Sequence, residues 1–237
     1  MNCYVTGSSG FIGKHLIKRL EAEGHVLTMT YHTCDVLIHL AAHNNIRCEF
    51  DPKLVESNII YAKQMLTQPC RTLFASSTSA QEINNPYALS KKYGEHLVLQ
   101  HPNALALRLF NVYGPGCKRG IVQRAIHCAF THAVFDLERS GAVRDYIYID
   151  DVVEIFTHHL NKRTGIVDVG TGTEKTAMDI IFAISSITGT PIAVREFSPA
   201  DGQQKFSVAE PLPDFRYTPL EDGLTKTIEA YKKENGI

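Results

Sequence analysis

Short apolar runs alternate with amphipathic stretches through the first half of the chain. Asn2–Thr6 reads as a strand and runs into Gly7-Ser8-Ser9-Gly10-Phe11-Ile12-Gly13. Leu16, Ile17 and Leu20 then recur at helical spacing, with Lys14, Lys18, Arg19 and Glu21 between them, until Gly24 stops the pattern. His25–Tyr31 reads as a second strand. Asp35–Leu40 reads as a third, and its nearly unbroken apolar run predicts burial on both faces. A helix over Pro52–Leu66, a strand over Thr72–Ala75, a helix over Pro86–Gln100 and a strand over Ala104–Phe110 continue the alternation. Beyond Gly114-Pro115-Gly116 the pattern loosens. It predicts helices over Ile121–Thr131, Asp151–Leu160, Ala177–Ile187 and Leu220–Glu234, and strands over Asp145–Ile149 and Gly165–Val169. The tail from Pro191 adds one strand candidate and a stretch with Pro199, Pro211 and Pro213. Strands alternating with helices predict a doubly wound α/β fold around a parallel sheet.

Composition changes this picture little. Apolar residues make up 44% of the 237 positions, charged residues 21%, and the net charge is −1, which argues against a nucleic-acid surface. No apolar run is long enough to span a bilayer, and the first residues lack the plan of a signal peptide, so a cytoplasmic protein is expected. Cys3, Cys34, Cys48, Cys70, Cys117 and Cys128 show no C-x-x-C pair and no zinc spacing. They read as reduced thiols. The eleven histidines show no metal-binding spacing either, so no metal is expected.

Two constellations carry chemistry. A strand, a G-x-x-G-x-x-G turn and a helix form a phosphate-binding turn. Gly7 permits the tight turn, Gly10 lets backbone approach a pyrophosphate, and Gly13 lets the helix pack against the sheet. Tyr87 and Lys91 stand four apart on one helix, so their side chains share a face. An ammonium nearby favours the phenolate and lowers the tyrosine pKa. Ser77 follows the buried strand Thr72–Ala75, at the carboxyl end where the ligand crevice of an open α/β sheet lies.

With these segments in this order, the chain resembles the NAD-dependent epimerase/dehydratase family, the extended short-chain dehydrogenases. Thr6–Gly13, Asp35–Ala42, Phe74–Ser77, Pro86–Lys91, Leu107–Pro115 and Arg144–Val152 carry the likeness. The resemblance implies a Rossmann fold truncated after its second strand, with a small C-terminal substrate-binding lobe. Residues 1–114 would form the dinucleotide-binding core. Residues 115–237 would hold the last core elements, about 145–187, interleaved with the lobe, about 115–144 and 188–237. It implies bound NAD, or NADP, and a nucleotide-sugar substrate. Ser77, Tyr87 and Lys91 match the catalytic triad: Tyr87 takes a proton from a sugar hydroxyl, and Lys91 holds the nicotinamide ribose. Gly7, Gly10, Phe11, Ile12, Gly13, Leu40, Ala41, Ala42, Asn58 and Phe110 match cofactor-lining positions, as do Tyr87 and Lys91. Ser77, Asn111 and Arg144 match substrate contacts. A homodimer built on the Tyr87 helix and its neighbour Asp51–Leu66 is also implied.

Three departures stand out. The family places an acidic residue at the end of the second strand, whereas here that end reads Thr30-Tyr31-His32. Only His32, Thr33 and Cys34 separate Tyr31 from Asp35. Such a link spans at most about 14 Å, while a parallel crossover needs about a dozen residues. His25–Tyr31 is therefore expected to be a stub or an extended connector, with the adenine side pruned. Thr78-Ser79 stands where dehydratases carry an Asp-Glu pair, which argues against a 4,6-dehydratase. Three functions stay open: a 4-epimerase-like enzyme oxidising a sugar hydroxyl transiently, an NADP-dependent reductase or dehydrogenase, and a non-catalytic nucleotide-binding member.

Overall fold

Strands that are apolar on both faces are stable only when covered on both sides. The computed structural model meets that demand with a six-stranded parallel sheet flanked by helices. It describes residues 1–44, 51–138, 141–198 and 206–237; Cys48 and Pro199 lie outside them. The chain divides into two units, Met1–Leu109 with Val152–Val169, and Phe110–Asp151 with Gly170–Ile237.

In the first unit the strands are β1 (Asn2–Thr6), β2 (Val26–Leu27), β3 (Val36–His39), β4 (Arg71–Ser77), β5 (Ala104–Leu109) and β6 (Gly165–Val169). Their order across the sheet is β6-β5-β4-β3-β1-β2. Helix α1 (Phe11–Ala22) follows β1 and α3 (Pro86–Gln100) follows β4. Between β3 and β4 runs a helical stretch, α2, made of Pro52–Leu54, a π-helical segment Val55–Tyr61, and Ala62–Leu66. The π turns are a departure from the plain helix predicted there, and they carry Asn58. Val36, Leu37, Ile38, Leu73 and Ala104–Leu107 are all buried, as the unbroken runs require.

The stub expectation holds. Only Asn2↔Val26 and Cys3↔Leu27 pair β1 with β2, whereas β3 pairs with β1 from Cys3↔Val36 to Thr6↔His39. After Leu27 the chain passes a single turn at Tyr31–Thr33 and enters β3 on the other side of β1. Asp35 accepts a hydrogen bond from the Asn2 amide at 2.7 Å, which pins this connector to the start of β1. Arg71, buried at the start of β4, donates to the carbonyls of His159, Leu160 and Lys162, in the turn that follows the helix Ile149–His158.

The second unit is built from very short strands. Asn111–Tyr113 pairs with Tyr146–Tyr148, and Phe135–Glu138 pairs with Val194–Phe197. Val143–Arg144 pairs with both Lys175–Thr176 and Phe206–Ser207. Helices Gly120–Thr131, Ala177–Thr188 and Leu220–Asn235 complete it. Asp145, fully buried, accepts from the Thr171 amide and hydroxyl and from the Gly172 and Ala209 amides, at 2.7–3.2 Å. Among the described residues no helix is long and apolar enough to cross a membrane.

Replacing Asp145 strands those four donors, the Ala209 amide among them buried. Asp145→Ala is expected to destabilise the protein by about 2–4 kcal/mol. Urea unfolding checks this, and a loss near zero would show that Asp145 is not the anchor of the second unit.

Candidate active site

The carboxyl end of β1 turns sharply because Gly7 adopts φ +72°, a conformation that L side chains rarely hold. A methyl group on Gly7 would lie 2.7 Å from the Ala41 amide nitrogen, and one on Gly13 would lie 2.2 Å from the Gly7 carbonyl. Both glycines are required by close packing, of the turn on the end of β3 and of α1 on the turn. Gly10, exposed, sits at the N-cap of α1 and has no side chain to cap the first amides. That leaves an uncapped helix N-terminus at the turn, which suits a phosphate. Phe11 and Ile12, half-buried, open the helix.

Leu40, Ala41 and Ala42 follow β3, all half-buried. The Leu40 amide donates to the Thr6 carbonyl and the Ala41 amide to the Thr6 hydroxyl, both at 3.2 Å. The same hydroxyl lies 2.7 Å from His39 Nδ1. His39 is buried between Phe74 and Tyr61, and its Nε2 has no hydrogen-bond partner among the described residues. Burial, with Lys91 adding to it, pulls its pKa down to about 3, so His39 is neutral near pH 7. Asn58 reaches the same segment. Its amide accepts from the His43 amide at 2.7 Å and donates to the His43 carbonyl and to Ser90 Oγ, both at 3.1 Å. Asn58 thus clamps the segment after β3 to α3.

Helix α3 begins at Asn85, whose side chain caps the Ala88 amide at 2.9 Å, with Pro86 next. Tyr87 and Lys91 both face inward from it and are buried. Gly94 sets the depth, since a methyl there would lie 2.4 Å from the Phe74 ring on β4. Tyr87 lies beside Ser77, close enough for the serine to act on its ionisation. Burial raises the Tyr87 pKa, and the neighbouring Ser77 draws it part of the way back. Ser77 Oγ also accepts from the Ser79 amide at 3.2 Å, which fixes it at the strand end. Lys91 Nζ donates to the Ala75 carbonyl at 2.7 Å and stands 5.8 Å from the centre of the Tyr87 ring.

Sequence reasoning expects Lys91 to lower the tyrosine pKa. In the structure burial dominates Tyr87 instead. The lysine is itself buried and tied to a backbone carbonyl, and its own pKa falls to about 8 despite the opposing pull of Glu95. The structure thus joins Ser77, Tyr87 and Lys91 in one cluster, and Gly7, Gly13 and Ala41 in another. Glu95, Gly94 and His39 support them and were not among the candidates. A single glycine or a buried carboxylate gives no periodic signal in a sequence.

Phe110, Asn111 and Arg144 belong to the second unit. Phe110 is buried. The Asn111 amide donates to the Asp145 carbonyl at 3.0 Å, and Asn111 stands opposite Tyr146 across the paired strands. Arg144 is half-buried and donates to the Val143 carbonyl at 2.9 Å. The end of β2 offers no carboxylate: Thr28, Met29 and Thr30 follow Leu27, and Asp35 is engaged with Asn2.

Residues 3–59 and 27–170 match the sequence model of the NAD dependent epimerase/dehydratase family. Among curated relatives, the UDP-N-acetyl-alpha-D-glucosaminuronate decarboxylase of Bacillus cytotoxicus is 23% identical, over 78% of this chain and 80% of its own. The ADP-L-glycero-D-manno-heptose-6-epimerase of Cupriavidus pinatubonensis is 25% identical, over 76% of each. The solved structure of UDP-glucuronic acid 4-epimerase from Bacillus cereus, in complex with UDP-glucuronic acid and NAD, matches with a TM-score of 0.87 at 21% identity. It covers 99% of this chain and 100% of that one. At that identity the likeness shows the fold.

Burial of Lys91 has a measurable sign. Its folded pKa, about 8, lies below the ordinary lysine range. The unfolded chain therefore holds more protons between the two values, and stability rises with pH through that window. Near pH 7 lysine is charged in both states and the cost of burying the charge is fully felt. Lys91→Met is expected to stabilise the protein at pH 7 by about 1–3 kcal/mol, less at higher pH. Urea unfolding at pH 7 and pH 9.5 checks this, and a destabilised variant would contradict the assignment.

Proposed function

The chain belongs to the NAD-dependent epimerase/dehydratase family, and from that premise we propose that it oxidises a hydroxyl of a nucleotide sugar transiently, as a 4-epimerase does. The observation that carries this reading is the grouping of Ser77, at the end of β4, with Tyr87 and Lys91, one turn apart on the buried face of α3.

A nicotinamide dinucleotide, when bound, supplies the hydride acceptor and donor for such chemistry. The glycine turn fits its pyrophosphate, since the first amides of α1 carry no side-chain cap and Gly10 is exposed. Gly7, Gly10, Phe11, Ile12 and Gly13 would hold that group, with Leu40, Ala41, Ala42 and Phe110 lining it. Asn58 would act indirectly, by fixing the segment after β3. The Tyr87 phenolic oxygen takes the proton of the sugar hydroxyl, and Ser77 orients that hydroxyl. Lys91, cationic near pH 7, favours the phenolate once its ammonium turns from Ala75 toward the ribose. Burial of Tyr87 opposes the phenolate, so the rate should rise toward alkaline pH. Asn111 and Arg144 are the proposed contacts to the nucleotide sugar, the arginine fork suiting a diphosphate. A UDP-hexose is the natural first substrate, since the decarboxylase relative and the 4-epimerase are both named for UDP sugars.

One observation favours a second reading. No carboxylate stands at the end of β2, and one there would repel a 2′-phosphate, so an NADP-dependent reductase also fits. The dinucleotide that copurifies, with titration of NAD and NADP into the empty protein, separates the two. Bound NAD and interconversion of UDP-hexoses without net cofactor use support the epimerase. Stoichiometric NADPH oxidation would replace it with the reductase. A protein that binds neither would sink both. Tyr87→Phe is expected to lower turnover by about 100-fold or more with dinucleotide binding retained.

We also propose a homodimer formed through α2 and α3, on which Ile60 and Leu89 are large apolar residues left exposed. Light scattering is expected to give twice the chain mass, with Ile60→Asp shifting it to the monomer.

A further inference from the structure

Two cysteines meet at the amino ends of adjacent strands. Cys34 leaves the turn Tyr31–Thr33 just ahead of β3, and Cys70 stands one residue ahead of β4. The strands are parallel neighbours with Val36 opposite Arg71, so both cysteines enter the sheet from the same edge. Their sulfurs lie 3.7 Å apart. Cys34 also donates to the Tyr31 carbonyl at 3.3 Å, which holds its thiol in place. It is buried in an apolar cluster with Leu37 and Met65, against which Tyr4, Tyr31, Tyr61 and Cys70 pack. Cys70 is only half-buried. The two cysteines therefore differ in access while sharing a contact, the arrangement of an attacked thiol and a resolving thiol.

We propose that Cys34 and Cys70 form a reversible redox modification site, closing to a disulfide when a peroxide or a small-molecule disulfide oxidises the accessible Cys70. With peroxide, the Cys70 thiolate attacks one oxygen, the O–O bond breaks, and hydroxide leaves. Cys70 is then a sulfenic acid. The Cys34 sulfur attacks the Cys70 sulfur, the S–O bond breaks, and the leaving hydroxide takes up the Cys34 proton as water. Two electrons pass from the thiol pair to the peroxide, which ends as two waters. A dithiol reductant reverses the bond by exchange. The order of events follows from burial, which pushes the Cys34 thiol up to about 12 and keeps it protonated until its partner is activated.

The bond would close the chain from Cys34 to Cys70, which contains β3, the segment Leu40–Ala42 and α2. It would also fasten the shortened connector after β2 to the sheet, a second tether beside the Asp35–Asn2 bond. Closing a loop of this size is expected to raise the midpoint of thermal unfolding by about 5–15 °C over the reduced form.

Cys3 gives the control. It lies on β1 opposite Val36, is fully buried, and is close enough to influence the Cys34 thiol. The whole protein is treated with hydrogen peroxide, and separately with oxidised glutathione, and then digested without reduction. A Cys34–Cys70 linked peptide is expected, with two thiols lost, both restored by dithiothreitol. Cys34→Ser and Cys70→Ser should each abolish it, and Cys3→Ser should leave it intact. Circular dichroism of each variant ensures that a lost link is not a lost fold. A Cys3–Cys34 link, over-oxidation of Cys70 without a link, or no loss of thiols in the folded wild type would overturn the proposal.

Discussion

A carboxylate taken out of water is costly unless its lone pairs are met, and Glu95, about 1% exposed, is met from two strands at once. It accepts from Ser76 on β4 at 2.7 Å and from both Nε and Nη2 of Arg108 on β5 at 3.0 Å. Arg108 passes the link on to Asp168 on β6 at 3.1 Å. Helix α3 therefore cannot slide or rotate on the sheet without uncovering a buried charge. Lys91 sits one turn before Glu95, and Ser77 is the residue after Ser76. The contact between Ser77 and Tyr87 is held in register by a network that touches neither hydroxyl. Gly94 works with it, because the helix can come down onto Phe74 only where no side chain intervenes.

Much of this was legible in the chain. Alternating apolar runs gave the parallel sheet, since a strand buried on both faces leaves an unbroken apolar signature. The helix over Pro86–Gln100 was readable from its apolar spacing and from Pro86, which favours a first helical turn. The glycine turn was readable because three glycines at that spacing, between strand and helix, have few other uses. The second unit was not. Strands such as Val143–Arg144 and Lys175–Thr176 are two residues long, too short for a period to show. They are held by Asp145, whose four donors come from residues far along the chain. Nor could the π turns around Asn58 be foreseen, because seven residues are too few for their different period to show.

Electrostatics was the least legible part. A tyrosine and a lysine four apart suggest a lowered phenol, but the sign is set by how much water each loses. Here both are buried and the lysine is occupied by the Ala75 carbonyl, so the tyrosine rests in its neutral form. The pair is thus primed in position before it is primed in charge.

The position of β2 in the sheet decides what its shortness costs. It is the outermost strand, so cutting it to Val26–Leu27 trims a margin and leaves every pairing from β1 to β6 intact. A cut of the same length in β3 or β4 would split the sheet in two. Folds of this topology can therefore vary freely on one flank while their centre stays fixed. In the proposed function, the choice between dinucleotides would fall to that outer flank, where a connector of few residues runs from β2 to β3.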